Sequence, residues 1–600
     1  MSEPKLSFSK VFWPSLVAVI IASFISIVAF FIITGVLFSS LFNFKSTLEI
    51  KDNSILQVKL NGEINDNQRS TFDVASLDIL QNSSLSSLIY GLETAKADPK
   101  IKGLFIDIGN LSCGYSTAHA IRSAIIDFQN SGKFVVTYFS GEMISQKEYY
   151  IGSVAKETYA FPSSAFQLNG IGGETMFFKN LLDKLEIEVE IVRGSNNDFK
   201  SAVEPYFLTE MSDSSRVQSE RLLNSIWDDM CAEMATSRRL SLADFNTIAD
   251  SLKVTSTEDA LHYKLIDRLK YRDEVMADLM KKTGVSNVKD LLLVDFEDYA
   301  RNKMLENQLL VQADKGNVAV IIAEGDVSRS GDGISSTKIC KLFEKVRNDA
   351  DIKTVVFRIN SPGGSALASE EIWREVALTN KVKKVIVSMG DVAASGGYYI
   401  AAPAHRIFAE STTITGSIGV FGMIPYTGKM FENKLGINFD RVETNSHSVL
   451  SLNKKLSPEE LARVQGEVDG IYNQFITRVA DGRKLSKERV MQIARGRVWT
   501  GKDALKIGLV DQLGSLNDAI AFAVKEVSLK NPKILYYPLV KEDKLADLLK
   551  MLKNGEEEAD QMNVNGTSIP ADFISYYNEI KKIENRMGIQ MRLPFDIKFD

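Results

Sequence analysis

Several short motifs of this chain occur twice, in the same order and about 250 residues apart. Ile55-Leu56-Gln57-Val58-Lys59-Leu60-Asn61-Gly62-Glu63-Ile64 resembles Val318-Ala319-Val320-Ile321-Ile322-Ala323-Glu324-Gly325-Asp326-Val327, and each reads as a buried strand running into a glycine turn. Asp98-Pro99-Lys100-Ile101-Lys102-Gly103-Leu104 resembles Asp349-Ala350-Asp351-Ile352-Lys353-Thr354-Val355, a helix end leading into a strand in both cases. Lys133-Phe134-Val135-Val136-Thr137 then lines up with Lys384-Val385-Ile386-Val387-Ser388, Tyr149-Tyr150 with Tyr398-Tyr399, and Asn169-Gly170-Ile171-Gly172 with Gly416-Ser417-Ile418-Gly419. The 600 residues are too many for one core, and the duplication requires two copies of one unit. Short β runs alternate with longer helical stretches such as residues 365–378 and 458–482, so the unit is α/β with mainly parallel strands. The repeats are placed at residues 55–300 and 315–540, with a polar join near 295–316 and a C-terminal tail over 541–600. That tail carries the solvated turn Asn554-Gly555-Glu556-Glu557-Glu558 and ends in the apolar and basic Met591-Arg592-Leu593-Pro594-Phe595, to which the sequence assigns no role.

Ahead of the repeats, residues 11–44 contain no charged side chain and are dominated by Phe, Ile, Val, Leu and Ala. A helix needs roughly 20 such residues to cross a bilayer, and a secretory signal has a shorter apolar core and a small-residue cleavage site. Residues 11–44 are therefore expected to form a single uncleaved transmembrane helix. Lys5 and Lys10 precede it, which puts residues 1–10 in the cytoplasm and the repeats outside it. Lys45 and Lys51 follow the span, so the charge bias is small. The net charge of −6 gives no electrostatic case for nucleic acid. Three cysteines, Cys113, Cys231 and Cys340, suit neither a disulfide framework nor a zinc site at their wide spacings, and read as small buried side chains.

In the second repeat a strand ends in Asn360-Ser361-Pro362-Gly363-Gly364-Ser365 before a helix. Such a turn is either an ordinary strand–helix connection or a set of backbone N–H groups able to hold an oxyanion. The next strand runs into Gly390-Asp391-Val392-Ala393-Ala394-Ser395-Gly396-Gly397. A serine at a helix start is most often an N-cap. The small residues around Ser395 also let a substrate backbone approach its hydroxyl, which makes it a candidate nucleophile. A serine nucleophile needs a base, and the chain has four histidines, His119, His262, His405 and His447. His447 lies in a loop that could approach the site, but no placed acid follows it to complete a triad. Lysine serves instead if burial lowers its pKa. Lys200 has Phe199, Ala202 and Val203 around it, although a lysine read in isolation is usually a surface cation. Neighbouring Asp198 would raise its pKa unless it points away.

Taken together, Asn360-Ser361-Pro362-Gly363-Gly364-Ser365, Ala393-Ala394-Ser395-Gly396-Gly397-Tyr398, Thr415-Gly416-Ser417-Ile418-Gly419-Val420-Phe421-Gly422 and Lys200-Ser201-Ala202-Val203-Glu204-Pro205 resemble the motifs of the signal peptide peptidase A (protease IV) family in its long, duplicated, membrane-anchored form. The resemblance spans nearly the whole chain. It implies two tandem Clp protease/crotonase-like domains of repeated ββα units, Ser395 as nucleophile, Lys200 as general base, and amides of Gly363 and Gly364 as the oxyanion hole. It implies no cofactor and no metal. Its expected partners are hydrophobic peptides such as released signal peptides, membrane lipid around the N-terminal helix and further copies in a homotetramer, with no nucleic acid. The implied location is the bacterial inner membrane, with the catalytic domains on the periplasmic side. Aligning Tyr149 with Tyr398 sets Gln146 opposite Ser395, and Gly109-Asn110-Leu111-Ser112-Cys113-Gly114 replaces the Ser-Pro-Gly-Gly turn; each repeat then keeps half of a site. A crotonase-type acyl-CoA enzyme and a non-catalytic membrane scaffold are the alternative readings.

Overall fold

A computed structural model describes residues 50–66, 70–73, 78–81, 84–313, 316–331, 333–537 and 588–592. The span expected over residues 11–44 and most of the tail lie outside the described residues. No helix among the described residues is long and apolar enough to cross a membrane. Apart from residues 72–80, both repeats fall within one compact unit.

The duplication is literal in the strand order. One sheet runs Arg268–Leu269, Glu157–Ala160, Phe134–Phe139, Ile101–Ser112, Ser54–Glu63, Leu293–Asp295, with every neighbouring pair parallel. The other repeats that order as Gln512–Leu513, Arg406–Ala409, Lys384–Ala394, Thr354–Ser361, Val318–Glu324, Ile534–Tyr537, with these pairs again parallel. It adds Ile414–Gly416, parallel to the end of Lys384–Ala394, and Val498–Thr500, antiparallel to Ile414–Gly416. The central strands Phe134–Phe139, Val318–Glu324, Thr354–Ser361 and Lys384–Ala394 are buried along nearly their whole length, as strands covered on both faces are. In the second repeat Val320, Ile322, Val356 and Ile386 pack with Leu516, Ala519, Ile520 and Ala523 of the helix Leu516–Glu526. Their neighbours Ala319, Ile321, Val355, Phe357, Val385 and Val387 belong to the core on the opposite face. The first repeat divides alike, with Ile55, Phe105, Val136 and Tyr138 against Val275 and Leu279 on one face and Leu56, Leu104, Ile106 and Val135 on the other. The period-two alternation of a strand sorts each run between two cores.

Equivalent side chains also make equivalent bonds. Tyr149 donates its hydroxyl to the Leu265 carbonyl at 2.9 Å, and Tyr398 donates to the Leu509 carbonyl at 2.8 Å. One expected match shifts by a residue. Phe134 pairs with Gly103, and Lys384 with Thr354, so the counterpart of Lys133 is Lys383 rather than Lys384. Lys133 donates to the Ala95 and Asp98 carbonyls as Lys383 does to those of Val346 and Asp349, each closing the C-terminal end of a helix. Cys113 and Cys231 are buried as expected, but Cys340 is only half-buried.

A third sheet is drawn from both repeats and the tail, in the order Ile334–Ser335, Val327–Ser328, Gly363–Ser365, Gly588–Arg592, Phe421–Tyr426, Glu188–Arg193. Its last pair joins the repeats, with Glu188–Arg193 antiparallel to Phe421–Tyr426. Buried polar contacts add to this seam. The Arg358 guanidinium binds both oxygens of Asp66 at 3.0–3.2 Å, and also donates to the Met389 carbonyl at 2.7 Å. Asp391 accepts from the Thr117 amide at 2.8 Å and the Thr117 hydroxyl at 2.5 Å. Asp391 thus docks on the start of the first repeat's helix Tyr115–Asn130, where a carboxylate is favoured, four positions before Ser395.

Candidate active site

The antiparallel register that sets Arg193 opposite Phe421 carries the following residues across onto the second repeat. Gly194 donates its amide to the Val420 carbonyl at 3.3 Å, and Phe199 donates to the Arg495 carbonyl at 3.0 Å. The Asn197 side chain also donates to Val420, at 3.2 Å. A turn follows in which the Lys200 amide donates to the Asn197 carbonyl at 3.1 Å. The Lys200 side chain is directed inward and is wholly buried.

Ser395 stands between the end of the strand Lys384–Ala394 and the helix Gly396–Ala401, with φ 55° and ψ −116°. A side-chain-bearing residue is rarely held in such a conformation, which costs about 1–3 kcal/mol. Its amide is fixed by the Gly416 carbonyl at 2.8 Å. The N-cap reading is overturned, since the hydroxyl makes no capping bond. Its partner is Lys200, with Nζ 2.9 Å from Oγ.

Lys200 Nζ has two further partners, the Ser417 carbonyl oxygen at 3.0 Å and the Ser417 hydroxyl oxygen at 2.9 Å. Burial pushes the ammonium well below the ordinary lysine value, and no carboxylate opposes that push. A neutral amine has two N–H donors and one lone pair. When the donors go to the two Ser417 oxygens, the lone pair is left for the Ser395 O–H. Ser417 lies in the Thr415-Gly416-Ser417-Ile418 motif, whose residues alone assign it no task; its φ of 50° is a second strained turn, which brings both of its oxygens to one amine. Asp198 does point away from the site, forming an exposed ion pair with Arg495. The four histidines are engaged elsewhere. His447 is an exposed side chain paired with Glu460 at 3.0 Å, His405 with Glu526 at 3.0 Å, and His119 lies between Glu233 and Glu410. The fourth, His262, packs edge-on to the Tyr263 ring.

Gly496 closes the other side of the lysine. At φ 73°, a Cβ there would lie 2.5 Å from Lys200 Cβ and 2.7 Å from its amide nitrogen. Gly496→Ala is expected to displace Lys200, lowering peptide turnover by about 100-fold and stability by about 1–3 kcal/mol. Steady-state kinetics and thermal melts on one preparation check both.

The two glycine turns of the second repeat meet beside Ser395. A Cβ on Gly363 (φ 106°) would sit 2.7 Å from the Gly396 amide nitrogen and 2.1 Å from the Met591 carbonyl oxygen, so only glycine permits that approach. Of the expected donors, the Gly363 N–H is aimed at Ser361 Oγ, 3.2 Å away, and Gly364 lies in the strand Gly363–Ser365. The Gly396 amide, next to Ser395 in sequence, lies beside them. At the matching place in the first repeat, Gln146 donates to the Gly170 carbonyl at 2.7 Å and accepts from the Gly170 amide at 3.1 Å. A self-satisfied amide side chain stands where the second repeat has its serine. No group of three or more His, Cys, Asp or Glu side chains among the described residues is placed to hold a metal ion.

The family model described as "Peptidase family S49" matches this chain twice, over residues 127–286 and 377–530, once in each repeat. "Protease 4" of Salmonella typhi is 34% identical over 521 residues, covering 84% of this chain and 82% of that protein. "Serine protease SPPA, chloroplastic" of Arabidopsis thaliana is 33% identical over 492 residues, covering 80% of this chain and 70% of its own. "Protease 4" of Haemophilus influenzae is 31% identical over 549 residues, covering 88% and 84%.

Proposed function

The chain belongs to peptidase family S49 and is a serine peptidase of the protease IV type, and from that premise we propose that Ser395 and Lys200 are its catalytic dyad. The observation that carries this reading is the 2.9 Å contact between a strained, buried serine and a buried lysine. Neutral Lys200 takes the Ser395 proton as Oγ attacks the peptide carbonyl. The backbone amide of Gly364, joined by that of Gly396, holds the oxyanion, while the Gly363 N–H stays on Ser361 Oγ. Protonated Lys200 then gives its proton to the leaving amine. A water deprotonated by Lys200 attacks the acyl-enzyme carbonyl, and Lys200 returns that proton to Oγ as the ester bond breaks and Ser395 is freed. Ser417 holds Nζ in place throughout.

The finer parts of the reading are proposals as well. The parallel sheets, with a smaller sheet holding the glycine turn, suit the Clp protease/crotonase type of ββα unit. The apolar run over residues 11–44 supports a single-pass anchor in the bacterial inner membrane with the repeats in the periplasm. Such an anchor suits hydrophobic peptides left in or near the bilayer, including cleaved signal peptides, and an assembly of four copies. An acyl-CoA enzyme and an inert scaffold are set aside, because the chain is a serine peptidase by family.

The test is labelling by a serine-directed fluorophosphonate, with the modified residue identified by mass spectrometry. Ser395 should carry the label, and Lys200→Met should suppress it. Label on another serine would overturn the dyad.

A further inference from the structure

The strand Gly588–Arg592 lies beside the glycine turn that approaches Gly396, the residue after Ser395. It runs antiparallel to Gly363–Ser365, with Gly363 opposite Arg592, Gly364 opposite Met591 and Ser365 opposite Gln590. On its other edge it runs antiparallel to Phe421–Tyr426, with Phe421 opposite Gln590, Gly422 opposite Ile589 and Met423 opposite Gly588. It is thus the strand that joins these two edges. An extended peptide entering an active-site groove binds in this way, adding a strand to an open edge. Two details align it with the chemistry. The Met591 carbonyl oxygen and the Gly396 amide nitrogen both crowd the same side of Gly363, 2.1 Å and 2.7 Å from where its Cβ would be. The Met591 side chain is wholly buried in the second repeat's core, as an apolar side chain in a specificity pocket would be. The strand is also foreign to the duplicated fold, since it follows the last strand of the second parallel sheet, Ile534–Tyr537, by way of residues 538–587.

We infer that Gly588–Arg592 is an intramolecular ligand of the substrate groove, seated as a substrate would be and competing with extended apolar peptides for access to Ser395. This rests on the reading of Ser395 as nucleophile. The tail sets the fraction of molecules with an open groove, so the apparent affinity for an added peptide is reduced by that fraction.

The experiment uses the full chain in detergent and two variants. Gln590→Pro removes a backbone N–H from the strand, and Met591→Asp places a charge in the buried pocket. Both should raise the rate of fluorophosphonate labelling of Ser395 by about ten-fold or more and lower KM for an apolar peptide with kcat unchanged. A synthetic peptide of the sequence of residues 586–594, added in trans, should slow labelling of both variants. Equal rates in all three proteins, or slower labelling in both variants, would overturn the inference and make the strand a structural wall. Absence of label from Ser395 in all three would overturn the dyad first and this inference with it.

Discussion

Replacing Ser395 by Ala, Lys200 by Ala, or both together is expected to lower peptide turnover by about the same factor, on the order of 10⁴-fold or more, with the double variant no worse than either single one. The hydroxyl is useless without the base and the base has no other task, so the two losses cannot add. Their 2.9 Å contact crosses from one repeat to the other, and Ser417 is the further group that touches Nζ. Lysine acts only when neutral, so kcat/KM for wild type should fall as pH drops through the depressed lysine pKa. Burial is the cause of that depression, and the acid limb should shift down in Asp198→Ala by little, because Asp198 is engaged with Arg495 at the surface. Multiplicative losses in the double variant would mean that Ser395 and Lys200 act independently, and the dyad would be discarded.

The sequence made the duplication visible because each strand is a local run of apolar residues and each motif is contiguous. Ser395 and Lys200 stand out in the sequence for the same reason, each inside a motif of its own, and the fold brings them to 2.9 Å. The slip at Lys133 arose where the second copy offers two adjacent lysines, Lys383 and Lys384; apolar pattern cannot choose between them, whereas the Gly103–Phe134 and Thr354–Lys384 pairings do. The third sheet was not legible. Its strands are short, in places two or three residues, and one is Gly363-Gly364-Ser365, so neither periodicity nor β propensity announces it. The same holds for Gly496 against Lys200 and for Asp391 against Thr117. Each is a contact between segments far apart in sequence, and its partner is fixed only once the repeats are folded together. Ser417 lay in plain view in a motif, but its role depends on a backbone turn that puts its carbonyl and hydroxyl oxygens on one amine.

Lys200→Met is expected to abolish turnover while changing the pH dependence of stability, and the two effects together separate a buried neutral base from a buried ion pair. In wild type the folded protein holds Lys200 with a lowered pKa, whereas the unfolded chain protonates it with the ordinary value of 10.5. Between the depressed value and 10.5 the unfolded state therefore binds more protons than the native state. Wild-type stability rises with pH across that window, by up to about 1.4 kcal/mol per pH unit from this group. Methionine has a similar unbranched shape and no proton to bind, so its stability lacks that slope. The advantage of the variant over wild type should be largest at the acid end of the window and shrink steadily toward pH 10.5. Loss of a donor to the Ser417 carbonyl adds a constant penalty of about 1–3 kcal/mol to the variant, which moves the whole difference curve without tilting it. Denaturant melts at several pH values read the slope directly. A variant whose disadvantage grows as pH falls would mean that the native state stabilises the ammonium, and Lys200 would then be a cation held in place rather than a base.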